Sequence, residues 1–466
     1  MATTTETMTP RRLSRALGPT ALVLFGLTYL APVTVFTTYG IVTQQTDNHL
    51  PSAYVVALVA MLFTAFSYGR MARAFPVSGS AYTYTQQSFG AHLGFLTGWT
   101  LMLDYLLLPM INFLLIGIYL NTQFPAVPQW VFALAALLVT LVFNVLGITL
   151  VNKLNVAIVS LSVLLVVVFA ALSIGHLATN PGAGVPNPLT PFLPGPDGLG
   201  PVFAGAAVLA LSFLGFDAVS TLAEEAKNPV RDIPRAILLT TLIGGVIFIV
   251  VSWLGALVVP DWHAFHDLDN AGVDLMAKVG GTLLTDFFVA VYVVGAFGSG
   301  MTTQVSVSRI IFSMGRDGIL PRVFGRLHPR FKTPWVAAVL VSAISLLALV
   351  VSLGVAAEMI SFGALVAFSM VNLAVIRHFL FPRGGAARRG PREWIVYGLL
   401  PAIGFALTVW LWTSLSQVTF IVGLSWVALG FIYLAVSTRF FRRRPPTLDF
   451  SETELVDPAA APASAE

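Results

Sequence analysis

The sequence predicts an all-α polytopic membrane protein with twelve transmembrane helices, and three observations carry that reading. Hydrophobic residues make up 57% of the 466-residue chain and charged residues only 10%, with a mean hydropathy of +0.85. A soluble domain carries roughly a quarter charged residues, so this chain has too few charges to cover a water-facing surface. Twelve apolar segments also come close to the ~20 residues that cross a bilayer as a helix. With the N-terminus inside, every Lys and Arg except Lys278 falls on one side of the membrane. That is the positive-inside bias, so the formal charge of +4 is topological and does not point to nucleic acid.

The elements follow in chain order. Arg11, Arg12 and Arg15 precede the first span, 17–44. No small-residue cleavage site follows a short apolar core, so this first helix is read as retained and not as a signal peptide. The next four spans are 52–71, 93–121, 129–148 and 153–176, with a short cytoplasmic segment at 74–90 leading into the third. Spans six to ten are 201–225, 235–259, 283–311, 335–353 and 358–378, and two more follow at 395–413 and 417–438. The chain then divides into a cytoplasmic tail (1–15), a transporter domain (16–440) and a second cytoplasmic tail (441–466). That last tail, Pro/Ala-rich and acidic, is expected to be disordered.

Two of the spans are interrupted. In the first, "GLTYLAPVTVF" (26–36) places Pro32 at mid-helix, where its ring clashes with the preceding turn and no N–H is offered. In the sixth, "LSFLGFDAVS" (211–220) places Gly215 and Asp217 there. Five spans separate the interruptions, so the two helices run in opposite directions. Two five-helix halves of inverted topology, each opening on a broken helix, mark a secondary transporter with a site near the midplane. The repeats are expected at about 17–176 and 201–378, with extra helices at about 395–438. The plain alternative is a proline kink in the first span and a packing glycine in the sixth.

"FPVSGSAYTYTQQSFG" (75–90), "GFDAVSTLAEEAKNPVRDIPRAI" (215–237) and "SRIIFSMGRDGILPRVFGRLHPRFKTP" (308–334) resemble the amino acid–polyamine–organocation permeases. The resemblance extends from about residue 15 to 440, and it implies a LeuT-like five-plus-five inverted repeat with two extra helices, working by alternating access. Within that family "YLAPVTVFTTYGIV" (29–42), "MLDYLLLPMIN" (102–112) and "SFLGFDAVSTLAEE" (212–225) are most similar to the bacterial putrescine importers. A bacterial inner membrane, with both termini cytoplasmic, is the implied location.

The family's amino-acid carriers usually break the first helix with glycines, whose bare N–H groups receive the substrate carboxylate. Here "LAPVT" stands instead, leaving only the N–H groups of Val33 and Thr34 for that task. Asp104 and Asp217 supply negative charge within spans three and six, while no Lys or Arg lies mid-membrane. A bare charge there costs at least ~2.5–3.5 kcal/mol, so a cationic substrate, a proton or a hydroxyl network must accompany it. Asp217 is the candidate ammonium ligand, or else a protonated carboxyl capping the interruption. Asp104 is a candidate for the second ammonium, for the coupling proton, or for an interhelical acceptor.

Tyr29, Phe36, Phe213 and Phe216 flank the interruptions and either enclose an alkyl chain with cation–π attraction or simply pack. Asn112, Ser299, Thr302 and Ser361 are polar residues of spans three, eight and ten that line a cavity or bond between helices. Glu224 and Glu225, just before Lys227 and Arg231, suit an inner ion pair, with Glu225 also a candidate for coupling. Arg231, Arg309, Arg316 and Asp317 are candidates for ion pairs that close the inside, or for topological charge alone. Where the putrescine importers are expected to carry an acid in "TVFxTYG", this chain has Thr37. That makes a monoamine, a zwitterion or another small cationic metabolite a competitor to putrescine. The outer loop 260–281, rich in Asp, either gathers cations or is merely solvated.

Some family members carry a lysine midway along the fifth span in place of sodium. "VSLSVLLVVVF" (159–169) has none, and Lys153 sits at the end. Proton coupling through one of the membrane carboxylates is favoured, because desolvation favours the protonated form of a carboxyl. Sodium held by Ser/Thr and carbonyl oxygens of spans one and eight, and exchange, are the alternatives. The expected function is import of a small cationic amine, with an amino acid permease or exchanger as the alternative. An enzyme is not expected: His263 and His266 form the only close histidine pair, on an outer loop without a nucleophile. The absence of a P-loop excludes an ATP-driven pump, and the absence of cysteine excludes disulfides and thiolate metal sites. No cofactor or metal is expected, and the lipid bilayer is the one macroscopic partner.

Overall fold

A computed structural model describes residues 17–76, 80–147, 151–180, 187–193, 195, 198–316, 320–382, 390–442 and 445, without the side chains of 151–156 and 224. The tails at 1–16 and beyond 445, with Arg11, Arg12 and Arg15, and also Asp317, lie outside the described residues. So do the side chains of Lys153 and Glu224.

The described chain is helical throughout. In order the helices are α1 (Pro19–Leu30), α2 (Tyr39–Gln45), α3 (Leu50–Ala74), α4 (Ala81–Phe89), α5 (Ala91–Gln123), α6 (Gln129–Leu146), α7 (Val151–Thr179) and α8 (Gly200–Leu209). They continue with α9 (Pro229–Val258), α10 (Ala271–Arg316), α11 (Trp335–Ser345), α12 (Leu353–Leu380), α13 (Pro391–Trp394), α14 (Leu400–Thr413) and α15 (Gln417–Ser437). Among the described residues eleven segments are long and apolar enough to cross a membrane. The predicted span 335–353 is instead filled by a shorter apolar helix, Trp335–Leu349, whose last turn tightens to a 3₁₀ helix at Leu346–Leu349.

Boundaries differ where local chemistry overrides hydropathy. α9 starts at Pro229, six residues before the predicted 235, because a proline at the first helical position gives up no hydrogen bond there. α10 runs from Ala271 with a kink at Gly281 (φ 62°, ψ −159°), where 283 was predicted. The segment 74–90 is not a simple connection: α4 buries Ala81, Tyr82, Tyr84, Thr85 and Ser88 in the bundle.

α5 and α12 form the centre, buried over most of their length. They cross closely at Gly363, where a Cβ would stand 3.0 Å from the Thr100 carbonyl oxygen and 3.2 Å from the Asp104 nitrogen. Outward-facing elements show the reverse pattern. Leu239, Leu242, Ile243, Val246 and Val250 form an exposed stripe at helical spacing along α9, an apolar face suited to lipid.

The first span and the segment after the second interruption are joined by their main chains. The Leu17 N–H donates to the Glu225 carbonyl (3.0 Å), and the Lys227 N–H donates to the Leu17 carbonyl (2.9 Å).

Candidate functional site

Regular helix stops at Leu30. Ala31 takes φ +44°, ψ +92°, and Pro32–Phe36 form a 3₁₀ turn before α2. Proline explains the stop, since it disfavours the helical conformation at the residue before it. A positive φ is costly for a residue with a Cβ, at roughly 1–3 kcal/mol. Ala31→Gly should therefore stabilise the protein by about 1 kcal/mol after the entropic penalty of glycine. Thermal unfolding in detergent checks this, and a lowered Tm would show that Ala31 carries no strain.

The second interruption is built differently. α8 tightens into a 3₁₀ turn at Ala210–Phe213, Leu214 is extended, Gly215 takes φ +118°, and a second 3₁₀ segment runs Asp217–Glu224. The Asp217 carboxylate turns back to accept the Gly215 N–H (3.2 Å). The two interruptions touch: a Cβ on Gly215 would stand 2.6 Å from Tyr29 Cδ1 and 3.0 Å from its backbone carbon.

Around this contact lies a cavity of about 290 Å³, at the small end of the ~300–1,000 Å³ usual for ligand pockets. Of the sequence candidates, Tyr29, Pro32, Thr37, Asp104, Asn112, Gly215, Asp217, Ser299 and Thr302 line it. Among the described residues its wall contains two carboxylates and no Lys, Arg or His. Asp104 is 5% exposed, and its Oδ1 is buried without a hydrogen-bond partner among the described residues. Asn112 donates to the Leu108 carbonyl (2.8 Å), and Thr302 donates to the Gly298 carbonyl (3.0 Å), so each has one polar group bound to its own helix.

Other candidates fall elsewhere. Phe36 is 1% exposed and packs edge-on against Phe169 and Phe288, at 5.2 and 5.5 Å between centroids. With Tyr119 and Tyr292 these rings form an aromatic layer beside the cavity. Phe213 meets Phe248 edge-on, and Phe216 packs between Tyr68 and Phe368. The three phenylalanines are therefore core residues, as apolar side chains on the closed faces of a helix usually are.

Ser361 donates to the Val208 carbonyl (3.2 Å) and does not reach the cavity. Glu225 is also outside it and makes no ion pair with Lys227 or Arg231 among the described residues; its backbone carbonyl holds Leu17 instead. Arg231 is exposed and likewise unpaired among them, while Arg309 and Arg316 lie near the C-terminal end of α10. Of the two backbone donors left by the missing glycines, the Thr34 N–H is taken up by the Ala31 carbonyl (2.8 Å). In the outer loop, Asp261 binds His263 (2.7 Å) and Asp274 binds His266 (3.0 Å). The Asp261 carboxyl is held below its usual range by the His263 backbone N–H and ring.

Tyr292, Tyr105, Ser162 and Thr221 also line the cavity and were not singled out. Tyr292 shares a short hydrogen bond with Thr37, tying the first span to α10. A lone tyrosine in an apolar run gives no sequence signal, and only the partner 255 positions away reveals it.

The family model for amino acid permeases matches residues 22–441. The low-affinity putrescine importer PlaP of Escherichia coli (strain K12) is 41% identical over 436 residues, covering 93% of this chain and 96% of that protein. The branched-chain amino acid permease BcaP of Bacillus subtilis (strain 168) is 30% identical over 459 residues, with 92% and 94% covered. A methylthioribose transporter of the same organism is 29% identical over 456 residues, with 90% and 92% covered.

Proposed function

The chain belongs to the amino acid permease family, and we propose that this member imports a small organic cation, putrescine or a related amine, by alternating access. The observation that carries the substrate class is the cavity wall, which among the described residues offers two carboxylates and no cationic side chain. The likeness to a putrescine importer supports the same reading. Twelve spans are counted when Trp335–Leu349 is taken as the ninth. The interruptions at Ala31 and Gly215 are read as the broken helices of an inverted repeat. Both termini face the cytoplasm of a bacterial inner membrane, following the positive-inside bias.

In this mechanism Asp217 receives the ammonium group beside Gly215, where Tyr29 offers a ring face. Asp104 carries the coupling proton, because its enclosed Oδ1 has neither a donor nor a cation beside it. The aromatic layer of Phe36, Tyr119, Phe169, Phe288 and Tyr292 closes the side toward the outer loop. Opening to the outside then requires the α10 rings to part from Phe36 and the Thr37–Tyr292 bond to break.

The test is uptake of labelled putrescine by the purified protein in proteoliposomes, with unlabelled diamines and amino acids as competitors. Diamines should compete and neutral amino acids should not; the opposite order would overturn the substrate class. The coupling residue has its own test. One pH unit, acid outside, should raise wild-type accumulation by at most about tenfold per proton. Asp104→Asn should lose that response while retaining putrescine counterflow. A variant that still follows the pH gradient would remove Asp104 from coupling.

A further inference from the structure

A second concavity, sharing no lining residue with the first, lies where the last turns of α3 meet the first turns of α9. It encloses about 430 Å³. Arg70 and Arg73 enter it from α3, three residues apart, and Arg231 and Arg235 enter from α9, four apart. Both spacings place side chains on one helix face, so four guanidinium groups converge on one recess.

Four like charges in one recess repel one another unless an anion sits among them. Among the described residues none of the four makes an ion pair. The floor is apolar and fixed. Gly69 meets Pro234 so closely that a Cβ would stand 3.2 Å from the proline Cβ, and Phe66 and Leu238 complete the wall. Arg70 is held over the Phe66 ring (4.7 Å) and the Tyr397 ring (5.5 Å), contacts that orient its guanidinium before any ligand arrives.

The recess is continuous with a lipid-facing surface. Arg235 and Leu238 are followed on α9 by the exposed stripe Leu239, Leu242, Ile243, Val246 and Val250. A ligand with a phosphate for the arginines and acyl chains for that stripe fits both parts at once. The geometry points to a site for the phosphate headgroup of an anionic phospholipid, in the leaflet that faces these arginines. Guanidinium forks bind phosphate oxygens in pairs, and a basic recess between helices on the cytoplasmic side suits such a headgroup. The headgroup would bridge α3 to α9 and hold their crossing at Gly69 and Pro234.

The test uses the full-length protein, stripped of lipid in detergent and titrated with cardiolipin, with phosphatidylcholine or with inorganic phosphate. Bound lipid is counted by native mass spectrometry. Cardiolipin should bind well ahead of phosphatidylcholine, and millimolar phosphate should not displace it. R70Q combined with R235Q should weaken cardiolipin binding by about 30-fold, taking each arginine near the surface at its usual value. R322Q combined with R326Q removes the same charge from elsewhere on the chain and should leave binding unchanged.

If the first pair fails to give a monodisperse protein, R73Q with R231Q carries the test, since both side chains are exposed. Equal binding of phosphatidylcholine, or an unaltered affinity in the arginine pair, would overturn the site. Efficient displacement by inorganic phosphate would overturn the lipid as its occupant and assign the arginines to a soluble phosphate.

Discussion

Asp217→Asn is expected to lower the kcat/KM for putrescine uptake by about 100-fold, in keeping with the 2–5 kcal/mol lost when one partner of an enclosed charge pair is removed. The asparagine oxygen can still accept the Gly215 N–H, so the turn at the interruption should survive and the loss should fall on substrate. Initial rates in proteoliposomes, with size-exclusion profiles of both proteins, separate the two effects. Unchanged uptake of a cationic amine would remove Asp217 from the binding site. It would also leave Asp104 as the remaining candidate among the cavity's lining carboxylates for holding the ammonium group.

Gly215→Ala should be more damaging still to the protein itself. At φ +118° a Cβ is strained whatever surrounds it, and here it also meets Tyr29 at 2.6 Å. Backbone strain and overpacking together should cost ~3 kcal/mol and eliminate most transport. Differential scanning fluorimetry reads the first effect and uptake the second. Trimming the ring in Gly215→Ala/Tyr29→Ala should recover part of the stability, as expected for residues in contact. It should not recover all of it, because the Tyr29 backbone carbon also stands within 3.0 Å. A Gly215→Ala protein with wild-type Tm would show that the close contact of the two interruptions is not required.

The sequence made the helical bundle legible because hydropathy acts over twenty residues at a time and averages out local detail. Pro32 and Gly215 stand out in the sequence because each carries a backbone restriction or freedom of its own, and departures from the α-helical backbone stand at Ala31 and Gly215. Most polar candidates reached the cavity for a related reason: a polar group in an apolar helix must face protein or water. The three phenylalanine candidates lie outside the cavity wall, and nothing in a phenylalanine distinguishes a ring beside a ligand from one in the core. Phe36, Phe213 and Phe216 were separated from Tyr29 only by which side of each turn they occupy. Glu225 lies outside the cavity and forms no ion pair among the described residues, because proximity in sequence to Lys227 and Arg231 does not bring side chains together where the chain turns from the 3₁₀ segment into α9. Tyr292 and the four-arginine recess depend on residues far apart in the chain, which periodicity cannot pair.

The link between Leu17 and residues 225–227 has a different standing from the side-chain contacts above, because it joins two distant segments entirely through main-chain atoms. Such a link is indifferent to which side chains occupy positions 17, 225 and 227, so those positions are free to drift over evolutionary time without loosening it. An alanine scan would leave the link itself intact at all three positions, whatever packing is lost at Leu17. Only proline at 17 or 227, by deleting an N–H, would register that the two ends are coupled. Movements of the first and sixth spans would thus share a tether that no comparison of residue identities would bring to light.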